Sequence, residues 1–332
     1  MRMRKHFATG AAMAAAATMV LTACGGGSST STSTSSSSSS DSGAPKGTIT
    51  VGSAYETTDY GPITTSALGI GADWQVLEGL YRFDMSDYSV TPALAAGDPV
   101  KVSDTKYEIT LRDGAKFSDG TDVKAADVVS SYERTTDEKS IYRQFFTFVD
   151  SVEAKDDKTV TINLKYPFAA LKERFVNVRV VPSSMSADEL KSKPIGSGPY
   201  KFDNISATEV TAVPNEHYNG KIPAKAATLK WSVLKDDSAR LAAALGNSID
   251  IMEAVPADAA DKLKAASWSV DSKPGYGNPF MMFNTQKAPF DKPEVRRAFL
   301  KAIDKQKLVS SALRGQAVEA KSFLPEANPA YK

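Results

Sequence analysis

Cys24 is the only cysteine of this chain, and His6 and His217 are its only histidines. Disulfides and any Cys/His metal cluster within one chain are therefore excluded, as is a cysteine nucleophile beyond residue 24. Gly196-Ser197-Gly198 puts a serine between glycines but lacks the G-x-S-x-G frame of a nucleophile elbow, and His217 has no evident relation to it. Arg112, Asp113 and Asp119 sit beside the turn glycines Gly114 and Gly120, where capping of turns explains them better than catalysis. Two groups remain that could meet a ligand. Tyr55, Glu56 and Asp59 follow a short alternating run, Thr48 to Ser53. In such a loop a carboxylate can meet an ammonium group and a tyrosine can pack on a peptide or a sugar; a merely solvated loop is the alternative. Tyr276, Gly277 and Asn278 lie in a glycine- and proline-broken stretch. There a glycine admits a ligand backbone and an asparagine pairs with a peptide group, unless the segment is only a structural crossover.

The elements that must position these residues are readable in outline. Tyr107 to Leu111 alternates as a strand, Ala125 to Arg134 reads as a helix, and Thr159 to Leu164 pairs with Ser151 to Ala154 around Asp156-Asp157. Pro167 to Phe175 reads as a helix opened by its proline, and Trp74 to Leu80 as a short helix. Thr228 to Leu234 and Ile249 to Met252 are strand-like and flank an alanine-rich helix from Asp237 to Leu245. Trp74, Trp231 and Trp268 are read as core residues. Phe280 to Phe283 is an apolar run of strand length, followed by an amphipathic helix capped by Asp291 with Val295, Ala298, Phe299, Ala302 and Ile303 on one face. Strands and helices mix without strict alternation, which gives an α/β class with mixed sheets.

At 332 residues, with 42% hydrophobic and 24% charged content, there is material for about two domains. The net charge of +1 argues against a phosphate-binding surface, so nucleic acid is not an expected partner. No cofactor and no metal are expected either. Residues 1–23 combine a basic start (Arg2, Arg4, Lys5) with an apolar run from Ala11 to Leu21, the make-up of a secretory signal. Leu21-Thr22-Ala23-Cys24 resembles the lipobox of bacterial lipoproteins. The resemblance implies cleavage before Cys24 and attachment of a diacylglyceryl group to its thiol, which would hold the chain on the outer face of the cell membrane. Residues 24–46, rich in serine and glycine, cannot bury enough apolar surface to fold. They form a tether of roughly 20 residues with an end-to-end distance on the order of 25 Å.

Five segments carry a wider resemblance: Val76 to Asp84 (VLEGLYRFD), Tyr107 to Arg134 (YEITLRDGAKFSDGTDVKAADVVSSYER), Pro194 to Phe202 (PIGSGPYKF), Asn215 to Pro223 (NEHYNGKIP) and FNTQKAPFDKPEVRRAFLKAIDK from Phe283. In order and spacing they resemble the peptide/nickel-type, family 5 extracytoplasmic solute-binding proteins of ABC importers. One departure is Ser197, where the family more often has threonine. The resemblance implies a two-lobed periplasmic-binding-protein-like fold. Residues 47–69 and 186–274 would form a discontinuous main lobe, residues 70–185 an inserted subdomain, and residues 275–332 the start of a second lobe. Because that lobe would be incomplete, a C-terminally shortened copy of the family's chain is the expectation.

What the resemblance implies about function is a lipid-anchored monomer that captures a small solute, a peptide in the first instance, and hands it to a membrane permease without catalysis. Metal chelates and oligosaccharides stand behind peptides as substrates. An anchored hydrolase of cell-wall peptides or sugars, and a surface receptor with no transport role, are the alternatives.

Overall fold

The computed structural model describes residues 44–84, 87, 89–272, 275 and 277–326. Cys24, the tether up to residue 43 and Tyr276 lie outside the described residues.

Strand β1 (Thr48–Ser53) opens with four β-branched residues, Thr48 to Val51, and becomes progressively more buried toward its C-terminal end. Helix α1 (Ala67–Val76) follows, with Leu68, Ala72 and Val76 buried at four-residue spacing on one face. Strands β2 (Tyr81–Phe83) and β3 (Val90–Pro92) pair antiparallel. Strands β4 (Val100–Ser103) and β5 (Lys106–Thr110) lead to helix α2 (Ala125–Thr135), whose Ala125, Val128 and Ser131 face inward. Strands β6 (Val149–Ala154) and β7 (Thr159–Leu164) complete an antiparallel sheet of order β4-β5-β7-β6. After the short helices α3 (Leu171–Phe175) and α4 (Ala187–Ser192) the chain enters β8 (Tyr200–Ile205), β9 (Glu209–Pro214) and β10 (Thr228–Val233). Helix α5 (Asp237–Leu245), strand β11 (Ile251–Met252) and helix α6 (Ala260–Ala265) come next, and helix α7 (Pro293–Ala302) lies near the C-terminal end.

The larger sheet has the order β11-β1-β10-β9-β8. β1 pairs in parallel with both β10 and β11, while β8, β9 and β10 run antiparallel. The first strand is thus central in a sheet whose other members arrive some 150 residues and more later in the chain. The apolar core is divided accordingly. One cluster is drawn from residues 80–180 around Tyr81, Phe117, Ile162 and Phe175. A second surrounds Tyr60, Leu68, Val76, Tyr200 and Trp231, and a third, smaller one holds Ala244, Ile249 and Leu263.

Two glycines join α1 to the larger sheet. A Cβ on Gly196 would lie 2.1 Å from the Val76 carbonyl oxygen, and one on Gly198 would lie 2.6 Å from that of Gln75. The Gly198 N–H donates to the Val76 carbonyl at 2.8 Å. The backbone of the Gly-Ser-Gly segment therefore lies against the last turn of α1, an approach that any side chain at either position would block.

Four sequence expectations are corrected. The helix expected from Pro167 begins only at Leu171, so the proline does not open it. The helix expected at Trp74 to Leu80 runs instead from Ala67 to Val76, and the Leu77 N–H closes it on Asp73. Beyond it the chain extends past the 176–178 backbone, where a Cβ on Gly79 would meet the Val178 carbonyl at 2.9 Å. Phe280 to Phe283 is not a strand, for no neighbouring strand pairs with it among the described residues. Helix α7 is capped at Lys292 rather than Asp291, and it buries no residue. Its Phe299 ring lies against those of Phe283 and Phe290, at separations of 5.8 and 5.4 Å.

Candidate functional site

The loop after β1 is fixed at both ends. The Ser53 hydroxyl donates to Glu253 at 2.7 Å, and the Tyr60 ring is buried edge-on against Phe202 at 5.6 Å. Burial, followed by the charge of Asp73, raises the pKa of Tyr60. Between these anchors Tyr55 is exposed, and Glu56 pairs with Lys235 at 3.0 Å across open solvent, an arrangement of little energetic weight. Asp59 accepts the Gly61 N–H at 2.8 Å, a side-chain turn that sets the direction of the loop. From there Pro62 and Thr64 form one wall of a cavity of about 210 Å³.

The opposite wall comes from α1 and from the extended segment after α3. Asp73 and Trp74 of α1 face it, together with Arg179 and with Tyr142 from a short 3₁₀ turn, Ile141–Phe146. The Tyr142 hydroxyl donates to the Thr64 carbonyl at 3.2 Å and ties the two walls together. Asp73 is 2% exposed, and its Oδ1 has no hydrogen-bond partner. Burial holds the Asp73 carboxyl well above the usual carboxylate range; the positive charge of Arg179 opposes that shift and the negative charge of Asp59 adds to it. The Arg179 guanidinium lies 5.5 Å from the centre of the Trp74 ring, a cation–π distance. Burial lowers the Arg179 pKa, with Asp73 and Tyr142 opposing, yet a guanidinium stays protonated under such shifts.

A second cavity of about 240 Å³ shares Trp74, Phe83, Val176 and Arg179 with the first. Glu78 and Tyr218 also line it. Arg112 holds Glu78 by two hydrogen bonds, of 2.9 and 2.7 Å, and lies 5.4 Å from the centre of the Tyr218 ring. The stacked Trp74–Arg179 pair is thus common to two adjoining hollows. Among the described residues no group of His, Cys, Asp and Glu is placed to hold a metal ion.

Of the residues singled out from sequence, Tyr55, Glu56 and Asp59 share the loop that leads to the first cavity, and Asp59 is near enough for its charge to bear on Asp73. Asn278 donates through Nδ2 to the Ser322 and Phe323 carbonyls, at 3.2 Å each. Gly277 has open space around the position of a Cβ. Asp73, Tyr142 and Arg179 were not legible as site residues. The core assignment of Trp74 is corrected, since it is 36% exposed, whereas Trp231 is buried and Trp268 packs on the third core cluster.

A mixed α/β sheet with a second sheet inserted after its first strand, and a hollow at the end of that strand, is the architecture of periplasmic binding proteins. Residues 89–332 match the family described as "Bacterial extracellular solute-binding proteins, family 5 Middle", and the chain belongs to that family. It is 29% identical over 292 residues to the glutathione-binding protein GsiB of Salmonella typhi, an alignment covering 83% of this chain and 56% of that one. The chain spans about half the length of the curated relatives it matches. Among solved structures it is similar to the periplasmic binding protein DppA of Helicobacter pylori in complex with the peptide STSA. That match has a TM-score of 0.77 and 22% identity, over 86% of this chain and 62% of the other. It is similar also to AgaA of A. tumefaciens R10 in complex with agropinic acid, with a TM-score of 0.71 and 27% identity, over 81% and 56%. These relatives are binding proteins, not enzymes.

Proposed function

We propose that this chain is the solute-capturing component of an ABC importer, held on the outer face of the membrane through lipid on Cys24, with a peptide as its solute. Family membership supports an extracytoplasmic binding role. The observation that carries the reading further is the hollow between the β1 loop and α1, where Trp74, Asp73 and Arg179 offer an aromatic face and both signs of charge. A few polar groups set in an otherwise apolar concavity are what a small-molecule site needs. Peptide is favoured because several relatives and structural neighbours are named for peptide-like ligands: glutathione, the peptide STSA and a murein tripeptide.

In this reading residues 47–69 and 186–274 make the main lobe and residues 70–185 the inserted subdomain. Residues 275–332 open the second lobe, with Tyr276, Gly277 and Asn278 at the joint. The division of the apolar core into a cluster from residues 80–180 and another around β1 and β8–β10 supports that partition. Ligand would act by favouring a closed arrangement over an open one, which requires contacts to both lobes. The protein then works as a monomer and passes its solute to a permease.

Native mass spectrometry of protein purified from its own cells, followed by calorimetric titration with a peptide mixture, tests this. A co-purifying peptide that binds again without being changed is the expected result. Recovery of a cleaved product would overturn the reading in favour of a hydrolase.

A further inference from the structure

We propose that Arg240 is a positioning residue for solute capture: it fixes the chain just past β10 and β11, and through Glu253 it holds the loop after β1 in place. This rests on the solute-capture reading above and deepens it, because that loop leads into the hollow. β1 lies between β10 and β11 and runs parallel to both, and Ser53, Val233 and Met252 end the three strands on one edge of the sheet. Open α/β sheets meet their ligands outside such carboxyl ends. Arg240 belongs to α5 and is 1% exposed. Its Nε donates to the Glu253 carbonyl at 3.1 Å, and one terminal nitrogen donates to the Leu234 and Lys235 carbonyls at 2.7 and 2.9 Å. The other terminal nitrogen donates to the Ala254 carbonyl at 3.1 Å and to the Asp237 carboxylate. All five guanidinium donors are thus engaged, four of them on backbone that directly follows β10 and β11.

Both of these segments touch the β1 loop in turn. The buried Ser53 hydroxyl donates to the Glu253 carboxylate at 2.7 Å and accepts the Tyr55 N–H at 3.3 Å. Lys235 pairs with Glu56 in open solvent, so the Ser53 contact bears most of the coupling. Ala254 has a φ of 51°, a left-handed conformation that a residue with a Cβ keeps only where its surroundings impose it. Arg240 imposes it by holding the Ala254 carbonyl. The α5 flank of the sheet is otherwise apolar, with Leu241 and Ala244 packed among Ile249 and Leu263. An apolar side chain at position 240 would close that core without the cost of desolvating a charge. What the guanidinium adds is a fixed spacing between two chain segments, which sets the Glu253 carboxylate opposite Ser53.

Calorimetric titration of the full chain with a mixture of tripeptides, and hydrogen exchange of the free protein, test this. In R240K, amide exchange is expected to quicken across residues 53–56 and to keep the parent rate in β5 and β7. The affinity for the mixture is expected to fall about tenfold, equivalent to about 1.4 kcal/mol. S53A leaves Arg240 intact and cuts only its link to the loop, and the same loss is expected. The double variant R240K/S53A should bind no more weakly than either single one, because both act through one contact. K235M is expected to stay within about twofold of the parent. A role in folding alone would lower the Tm of R240K without moving its affinity. That result, S53A at parent affinity, or losses that add in the double variant would overturn the positioning role and leave solute capture standing. Failure of the parent chain to bind any tripeptide would sink both.

Discussion

Arg112 grips Glu78 through both terminal nitrogens, at 2.9 and 2.7 Å, with the two side chains only 13% and 9% exposed. The pair joins the segment that leaves α1 to the turn that follows β5, and Arg112 donates in addition to the Ala93 carbonyl and to Asn219. Burial raises the Glu78 pKa and Arg112 opposes it. R112M is expected to cost about 3–5 kcal/mol, because it strands a buried carboxylate, whereas the double variant E78Q/R112M should cost distinctly less. Urea denaturation of the two variants measures the difference. A double variant as unstable as the single one would show that the pair does not act as a unit.

The contact of Gly196 and Gly198 with the last turn of α1 leads to an opposed pair of predictions. G196A introduces a Cβ 2.1 Å from the Val76 carbonyl oxygen, and the backbone has to move. A loss on the order of 1–3 kcal/mol is expected. Gly71, in the middle of α1, has open space where a Cβ would go, so G71A should gain about 0.5–1 kcal/mol by lowering the freedom of the unfolded chain. Thermal unfolding followed by circular dichroism reads both, and equal effects would contradict the close approach.

The strands were legible because alternation survives in their sequences. Thr48 to Ser53, Tyr107 to Leu111 and Thr228 to Leu234 each announce one buried face, and the structure has strands in all three places. The Phe280 to Phe283 run has the same local signal, but a strand needs a partner, and that information is not local. The candidate site was hidden for the same kind of reason. Asp73 and Arg179 are far apart in sequence, and each alone reads as an ordinary surface charge. Trp74 looked like core because a helix begun at residue 74 turns it inward; begun at Ala67, the helix leaves it a third exposed beside Arg179. The Gly-Ser-Gly motif stood out in the sequence, while its partner, the Val76 carbonyl, did not.

If Cys24 carries the anchor, C24A should release the protein from the membrane fraction. Each buried methylene contributes about 0.8 kcal/mol, so loss of two acyl chains should shift the partition almost completely. Fractionation of cells followed by detergent phase separation checks this. Retention of C24A in the membrane at the parent level would remove the lipid anchor from the account.

Asp73 should make the fold less stable as pH rises. Burial places its pKa in the folded state above the 3.8 of an ordinary aspartate; Asp59 adds to that shift and Arg179 counters it. For a group raised on folding, the stabilising contribution is complete below the unfolded value and is lost as pH climbs through the folded one, because the folded state then gives up a proton it holds more tightly than the unfolded chain does. D73N has no proton to lose. The Tm of D73N should therefore gain on that of the parent as pH rises above the 3.8 of an ordinary aspartate. Tyr60 and Tyr142 border the site with pKa values raised further above neutrality, so they do not contribute in this range. A margin that is flat or that narrows with pH would contradict the burial of an ionisable carboxyl.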